Sequence, residues 1–513
     1  MAGPKARGSG VHLAATLALV AGLGCRRSAD QASSVTILYR DDENVFGLWY
    51  DDAAKFLVFL PLVTRNARGE LEGRLARSWE HSPDYRNWTI HLRSDIRWQD
   101  GVPFTAHDIQ FTFELMSRPE VLNLNPGDLS VTVLDDTTYT LTVHHGDGQM
   151  GTPLDDWTVY YPKHLLEHLD PKTWHDWEFW IRPVGNGPYR YVRHVTKTMT
   201  ELAASPDFYR GRPKITKVVL RYAPPTIPEL LSRNADVIPD FQPLDLAKLP
   251  KDQGFEVYQH FTGYPVRTVV WNTRRPVLHD PAIRRALTLA IDRQELHGAL
   301  NLPATTPIFD VPFSERQISR GDLPPPLPHD PVEARRLLAA AGWGELGADG
   351  IRRRAGQPLR LIGLTSSTEG MDRVAVIIQA QLRAVGVQLD LQTLDRSVED
   401  QRVKAGAFDV ELRAVPIHGF SGRAFFGPES RTGYVNPQAA ALMARAFAAL
   451  DPDAVDQAYR ELAPIFAADL PVTFLTPGVP STVARRRLRG LSSPWRTDPL
   501  YHMDELWLED RVP

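Results

Sequence analysis

The stretch HLLEH, residues 164–168, has the residue types and spacing that could most directly do chemistry. On a helix, His164 and His168 would share a face and hold zinc, with Glu167 in reach as a general base, as in one class of metallopeptidase. The local sequence argues for something plainer. The segment is pinned between Pro162 and Asp170-Pro171, and its leucines read as the buried face of a minor helix. Short motifs of this kind often arise without chemistry, so neither a metal nor another cofactor is expected. Three weaker patterns fail on their own terms. GFSGR (419–423) has Arg423 where a nucleophile elbow needs glycine. GNGPY (185–189) lacks the third glycine and the helix of a dinucleotide loop, and Pro188 removes a donor. GADGI (347–351) has too few carboxylates for a calcium loop and reads as a turn.

These segments are set in a chain of 513 residues, long enough for two or three cores. With 43% hydrophobic and 9% aromatic residues, it has the composition of a soluble globular protein. Its 58 basic and 62 acidic residues nearly cancel, so nothing attracts a polyanion, and nucleic acid is not an expected partner.

Strand and helix signals alternate from Val35 onward. VTILYR (35–40), NWTIHLR (87–93) and KITKVVLRYA (214–223) read as strands, and TVLDDTTYTLTV (132–143) as a hairpin turning near Asp135 and Asp136. Asp280-Pro281, Asp330-Pro331 and Asp451-Pro452 each set a capping carboxylate before a proline at the first helical position. After the first, Ile283, Leu287, Ala290 and Ile291 form one apolar stripe. The helices after Asp330 and over 372–386 stop at Gly342 and Gly386. VQLDLQTL (387–394) then alternates as a strand, which predicts a crossover unit with a parallel sheet.

Lys5 and Arg7 precede an apolar run over 11–24, shorter than the roughly 20 residues of a membrane span but suited to a secretory signal. Cys25, the only cysteine, follows directly, with Gly22 and Gly24 just before it. It resembles the lipid-bearing cysteine of bacterial lipoproteins, although Gly22 stands where that pattern prefers Leu. The expected product is an exported protein, periplasmic or at the cell surface, anchored through Cys25 by a polar tether over 26–34, with no internal disulfide.

A second resemblance covers the chain from about 35 to 475. The block GRLARSWEHSPDYRNWTIHLRSDIRWQDGVPFTAHDIQFTFE (73–114) is similar to the hallmark of family 5 of the extracellular solute-binding proteins. In that hallmark a Ser-Trp-Glu leads to a strand, a Trp-x-Asp-Gly turn and a capped helix. PVGNGPYRY resembles the family's Gly-Thr-Gly-Pro-Tyr segment, with Asn186 for Thr, and SPDFYRGRPKITKVVLRY its next strand entry. WNTRRPVLHDPAIRRALTLAIDRQEL and DPVEARRLLAAAGW continue the match in order. The family also carries a Pro-Lys-His-x-Leu stretch like that at 162–166, without metal chemistry.

The resemblance implies an α/β chain of the type II periplasmic-binding-protein fold, two lobes around a hinge with an extra α/β domain. After a signal peptide (1–24) and tether (25–34), the first lobe would comprise 35–63, 183–266 and 481–513. The extra domain would be 64–182 and the second lobe 267–480. The hallmark block itself reads as scaffold: Trp98 and Gly101 shape a turn, Thr105 caps a helix, and Phe111, Phe113 and Leu115 are buried. It also implies a monomeric receptor that captures a peptide or other small solute between the lobes and delivers it to ABC permease subunits in the membrane. The competing functions are a secreted HxxEH metallopeptidase and a receptor-like signalling or chaperone scaffold. Ligand contacts would come from Tyr39, Arg40, Trp271, Asn272, and from Arg413 and His418 in RAVPIHGF (413–420). Trp271 could equally be core, and Arg413 could pair with Glu411. The chain departs from peptide receptors here, because no acidic residue stands between Ala414 and Pro428 to meet a peptide's amino terminus. Arg413, His418 and Arg423 suit an anionic ligand instead.

Overall fold

A computed structural model of the chain describes residues 33–39, 54–65, 71–121, 129–144, 154, 158–224, 226–232, 234–241, 246, 248–249, 254–259, 266–313, 317, 321–367, 370–415, 427, 429–479, 481–491 and 499–509. Among these residues, three sheets carry most of the architecture. The first has seven strands, in the spatial order Phe255–Gln259, Ser481–Arg485, Val237–Phe241, Ser34–Tyr39, Lys217–Tyr222, Met199–Ala204 and Tyr189–Val195. The strand from the C-terminal end of the chain is not at an edge. It lies between two earlier strands and pairs antiparallel with both. Ser34–Tyr39 pairs in parallel with Lys217–Tyr222, from Ser34 opposite Lys217 to Tyr39 opposite Tyr222.

The second sheet has five strands, in the order Gln388–Thr393, Arg360–Thr365, Val410–Val415, Val266–Trp271 and Val472–Thr476. Arg360–Thr365 and Gln388–Thr393 run parallel, joined by the helix Met371–Ala384, which is the crossover expected from the sequence. Gly386 follows that helix with φ of +84°, the left-handed turn that lets the chain reverse into the strand. The proline-led helices begin as their punctuation dictates. Asp280, Asp330 and Asp451 each accept a backbone N–H in the first turn of Pro281–Leu289, Pro331–Ala340 and Pro452–Asp469.

The third sheet holds Ala76–His81, Asn87–Leu92, Thr138–Val143 and Leu129–Asp135. Alternation in Asn87–Leu92 buries Trp88, Ile90 and Leu92. One continuous core joins this sheet to a face of the seven-stranded sheet, through Trp98, Tyr139, Tyr161, Trp180, Val35 and Leu220. The third sheet is therefore welded to the first. The five-stranded sheet instead has its own cores, one against Leu287, Leu338 and Ile378, and one against Leu442, Tyr459 and Phe466.

Candidate functional site

The hallmark turn docks onto the GNGPY segment. The Gln99 backbone N–H donates to the Gly185 carbonyl at 2.8 Å, and the Gln99 side chain donates to the Tyr189 carbonyl at 2.8 Å. The two glycines of GNGPY are there for close approach. A β-carbon on Gly185 would sit 1.9 Å from the Val58 carbonyl oxygen, and one on Gly187 2.6 Å from the Val58 carbonyl carbon. Asn186, at the position of the family's usual Thr, accepts the Leu60 N–H at 2.8 Å. These contacts join the two motifs to each other and to the backbone at Val58–Leu60, which is a scaffold role. In the same block, Thr105 caps Ala106–Met116, reciprocated by Asp108, and Gly101 has φ of +95°.

HLLEH does not form the face that zinc needs. Its helix is one turn, Lys163–Leu166, with Glu167 already at the cap. His164 turns to the Asp100 carboxylate at 2.7 Å, while His168 is exposed and meets only Glu167, at 3.6 Å. No group of three or more His, Cys, Asp or Glu among the described residues could hold a metal.

The two large sheets exchange chain at one place. Gln259 and Ser481 pair in the seven-stranded sheet, and Arg267 and Thr476 pair in the five-stranded sheet. The chain thus crosses between sheets twice, over 260–265 and 477–480, from adjacent strands. Around them, the Gln259 side chain donates to Ser481 Oγ at 3.2 Å and to the Asn301 carbonyl at 3.4 Å, and Arg267 donates to Thr476 Oγ1 at 3.4 Å.

The ligand-contact residues expected from the sequence are dispersed relative to this point. Tyr39 ends the central strand of the first sheet, half-buried, its carbonyl accepting the Ala223 N–H. Trp271 is fully buried and donates from Nε1 to Thr473 Oγ1 at 3.0 Å. Asn272 is also buried. It donates to the Phe408 carbonyl at 2.9 Å and accepts from Arg274. Trp271 and Asn272 are framework of the five-stranded sheet and present no surface to a solute. Arg40, His418 and Cys25 lie outside the described residues.

Arg413 is held in a closed ring of charges. Strand alternation puts it on one face of Val410–Val415 with Glu411, and Arg431 reaches in from a neighbouring turn. Arg413 meets Asp400 at 2.5 Å and Glu411 at 3.3 Å, and Arg431 meets Asp400 at 2.7 Å and Glu411 at 2.5 Å. Burial works against the charge on Arg413, but Asp400 and Glu411 more than offset it, so its pKa is raised. The expectation of a guanidinium open to an anionic ligand gives way to the internal pairing with Glu411. The sequence did not point to Asp400 or Arg431, which come from other elements. The one signal available was the i, i+2 spacing of Glu411 and Arg413, which puts opposite charges on one face of a strand.

Two sheets exchanging chain at paired crossings define a class, and solved structures confirm it. The fold matches NikZ from Campylobacter jejuni, crystallised with Ni(L-His), at a TM-score of 0.71 and 22% identity, over 93% of this chain and 99% of that one. It matches the ABC transporter substrate binding protein CtaP from Listeria monocytogenes at 0.78 and 20%, over 93% and 99%. This is the type II periplasmic-binding-protein fold, α/β in class. Residues 70–431 match the model of bacterial extracellular solute-binding proteins, family 5 (Middle), and the chain belongs to that family. Among its relatives, the periplasmic oligopeptide-binding protein OppA of Haemophilus influenzae is 25% identical over 496 residues, covering 86% of each chain. The nickel-binding periplasmic protein of Escherichia coli is 26% identical over 382 residues, covering 69% of each. The match to a Brucella ovis protein described as peptide-binding and belonging to an ABC transporter is 28% identical over 347 residues; it covers 66% of this chain and spans only 63% of that relative's length. The matching model describes bacterial extracellular solute-binding proteins. No helix among the described residues is long and apolar enough to cross a membrane.

Proposed function

We propose that this protein is the receptor of an ABC importer, a monomer that captures a peptide or related small solute between its two large sheets and hands it to a membrane permease. The paired crossings at Gln259–Ser481 and Arg267–Thr476 carry this reading, because they supply a hinge between two otherwise separate cores. The names of the relatives supply the ligand classes, peptides and nickel complexes. The seven-stranded sheet would be one lobe, built from 35–63, 183–266 and 481–513, with 64–182 as an extra domain fused to it and 267–480 as the other lobe. Tyr39, with Arg40 beside it, and His418 would face the solute. Trp271, Asn272 and Arg413 would act behind that surface, by fixing the strands that carry it. Cys25 would be lipidated and hold the receptor at the membrane.

Calorimetry with di- to pentapeptides and with the nickel–histidine complex tests the reading, because closure over a solute buries surface and gives a negative heat-capacity change. Saturable one-to-one binding of a member of either class is expected. Failure of every peptide and of the nickel complex to bind would overturn the assignment to these ligands.

A further inference from the structure

Glu399 is the anomaly in the second lobe. It sits on the helix Arg396–Lys404, whose sequence is mostly charged, yet it is 0% exposed. Among the described residues, neither of its carboxylate oxygens has a hydrogen-bond partner. Val403, one turn later on the same helix face, packs with Leu364 and Phe408. Leu364 is also the register partner of Glu411, so apolar side chains flank the acid from helix and sheet. The charged groups facing it are Glu411 and Arg413 from the strand below, and Arg396 and Asp400 from its own helix. Arg431 enters through its bonds to Asp400 and Glu411.

The hydrogen-bonded charges around Glu399 are already matched without it. Arg413 and Arg431 each bridge Asp400 and Glu411, so two guanidinium groups neutralise two carboxylates. An ionised Glu399 would be a further carboxylate, buried and with no donor among the described residues; the Arg396 guanidinium faces it without donating to it, and burial outweighs that attraction. Such a group takes a proton rather than remain charged. Glu411 is buried as deeply and burial pushes its carboxyl up as well, with Oε2 unpartnered among the described residues, but Arg431 and Arg413 both donate to its Oε1, whereas Glu399 receives no donor on either oxygen and is the readier of the two to hold the proton.

We propose that Glu399 carries a proton below neutral pH and that the second lobe is a pH-sensitive element, loosened when that proton is lost. Burial first, and then the neighbouring Glu411, pushes the Glu399 carboxyl up to about 7. A folded-state value above the unfolded one means that the native lobe binds the proton more tightly. The stabilisation is complete below the ordinary glutamate range and disappears as pH rises toward and through 7. The helix Arg396–Lys404 then covers an uncompensated charge, and its hold on the strand bearing Glu411 and Arg413 weakens. This holds with or without a bound solute, and so does not depend on which ligand the receptor takes.

The test is urea unfolding of the full chain from pH 5 to pH 8, comparing wild type with Glu399→Gln. Glutamine keeps the shape and removes the titration. The folding equilibrium of wild type should weaken relative to the variant by on the order of 100-fold across that range, with the two closest at pH 5. Parallel pH profiles would overturn the proposal. If the variant does not fold, infrared spectroscopy of wild type in heavy water gives an independent answer. A protonated-carboxyl stretch should persist at pH 6 and fade by pH 8, and its absence at pH 6 would equally overturn the assignment.

Discussion

The imidazole of His164 lies 2.7 Å from the Asp100 carboxylate, 64 positions earlier in the chain. This contact joins the hallmark turn to the short helix Lys163–Leu166 and gives both motifs a shared structural role. It predicts that His164→Ala removes a partly exposed tie and costs about 1 kcal/mol, with solute binding intact. Denaturant unfolding and metal analysis of the purified protein check this together. Stoichiometric zinc that disappears with His164 would restore the peptidase reading.

Arg413 gives the opposite signature. Its removal leaves the fully buried Glu411 with a single counter-charge, and breaking such a buried network costs about 3–5 kcal/mol. Arg413→Ala should therefore lower the urea midpoint of the second lobe strongly. Arg413→Lys, which keeps the charge but changes the length and donor geometry of the group whose Nη1 meets both carboxylates, should fall between the two. A residue that met the solute directly would instead lose affinity at unchanged stability, and that pattern would return Arg413 to the ligand surface.

The contrast between these two sites shows which features a sequence can carry. Local signals were legible because each is complete within a few residues. Asp280, Asp330 and Asp451 cap the helices that their prolines announce, and the rhythm over 372–394 gives the parallel pairing of Leu361 with Leu389. The scaffold role of Trp98 to Gly101 was legible for the same reason. The ring around Arg413 was not, because it needs Asp400 from a helix, Glu411 from a strand and Arg431 from a turn. Nothing in RSVEDQRVK distinguishes Glu399 from its exposed neighbours. Its burial is a tertiary fact, set by where the helix lands on the sheet. Trp271 shows the converse limit, since an aromatic residue at a strand end reads equally well as core or as cleft wall.

Asp236 tests the discontinuity of the first lobe. One of its oxygens accepts the Thr36 N–H at 2.9 Å, and the other meets Arg487 at 2.9 Å and Arg485 at 3.7 Å. It thus ties the strand at the start of the described chain to the strand near its end. Asp236→Ala should cost about 2–3 kcal/mol, since it frees two arginines and an N–H in a largely buried site. Truncation after residue 480 should be worse, because Ser481–Arg485 lies between two other strands and its loss exposes two unpaired edges. Limited proteolysis is the check. Release of a stable fragment of residues 35–266 without the C-terminal strands would refute the three-part lobe.

The proposed anchor at Cys25 is tested by removing it. A diacylglyceryl group carried as a thioether on the Cys25 sulfur would bury two acyl chains, at about 0.8 kcal/mol per methylene, which is enough for stable anchoring where one chain is marginal. With no other cysteine in the chain, a substitution here disturbs no disulfide and no second thiol. Cys25→Ala should therefore move the protein from the detergent phase to the aqueous phase without changing its unfolding midpoint or its solute binding. Identical partitioning of wild type and variant would sink the anchor, and the protein would then be a freely diffusing exported receptor.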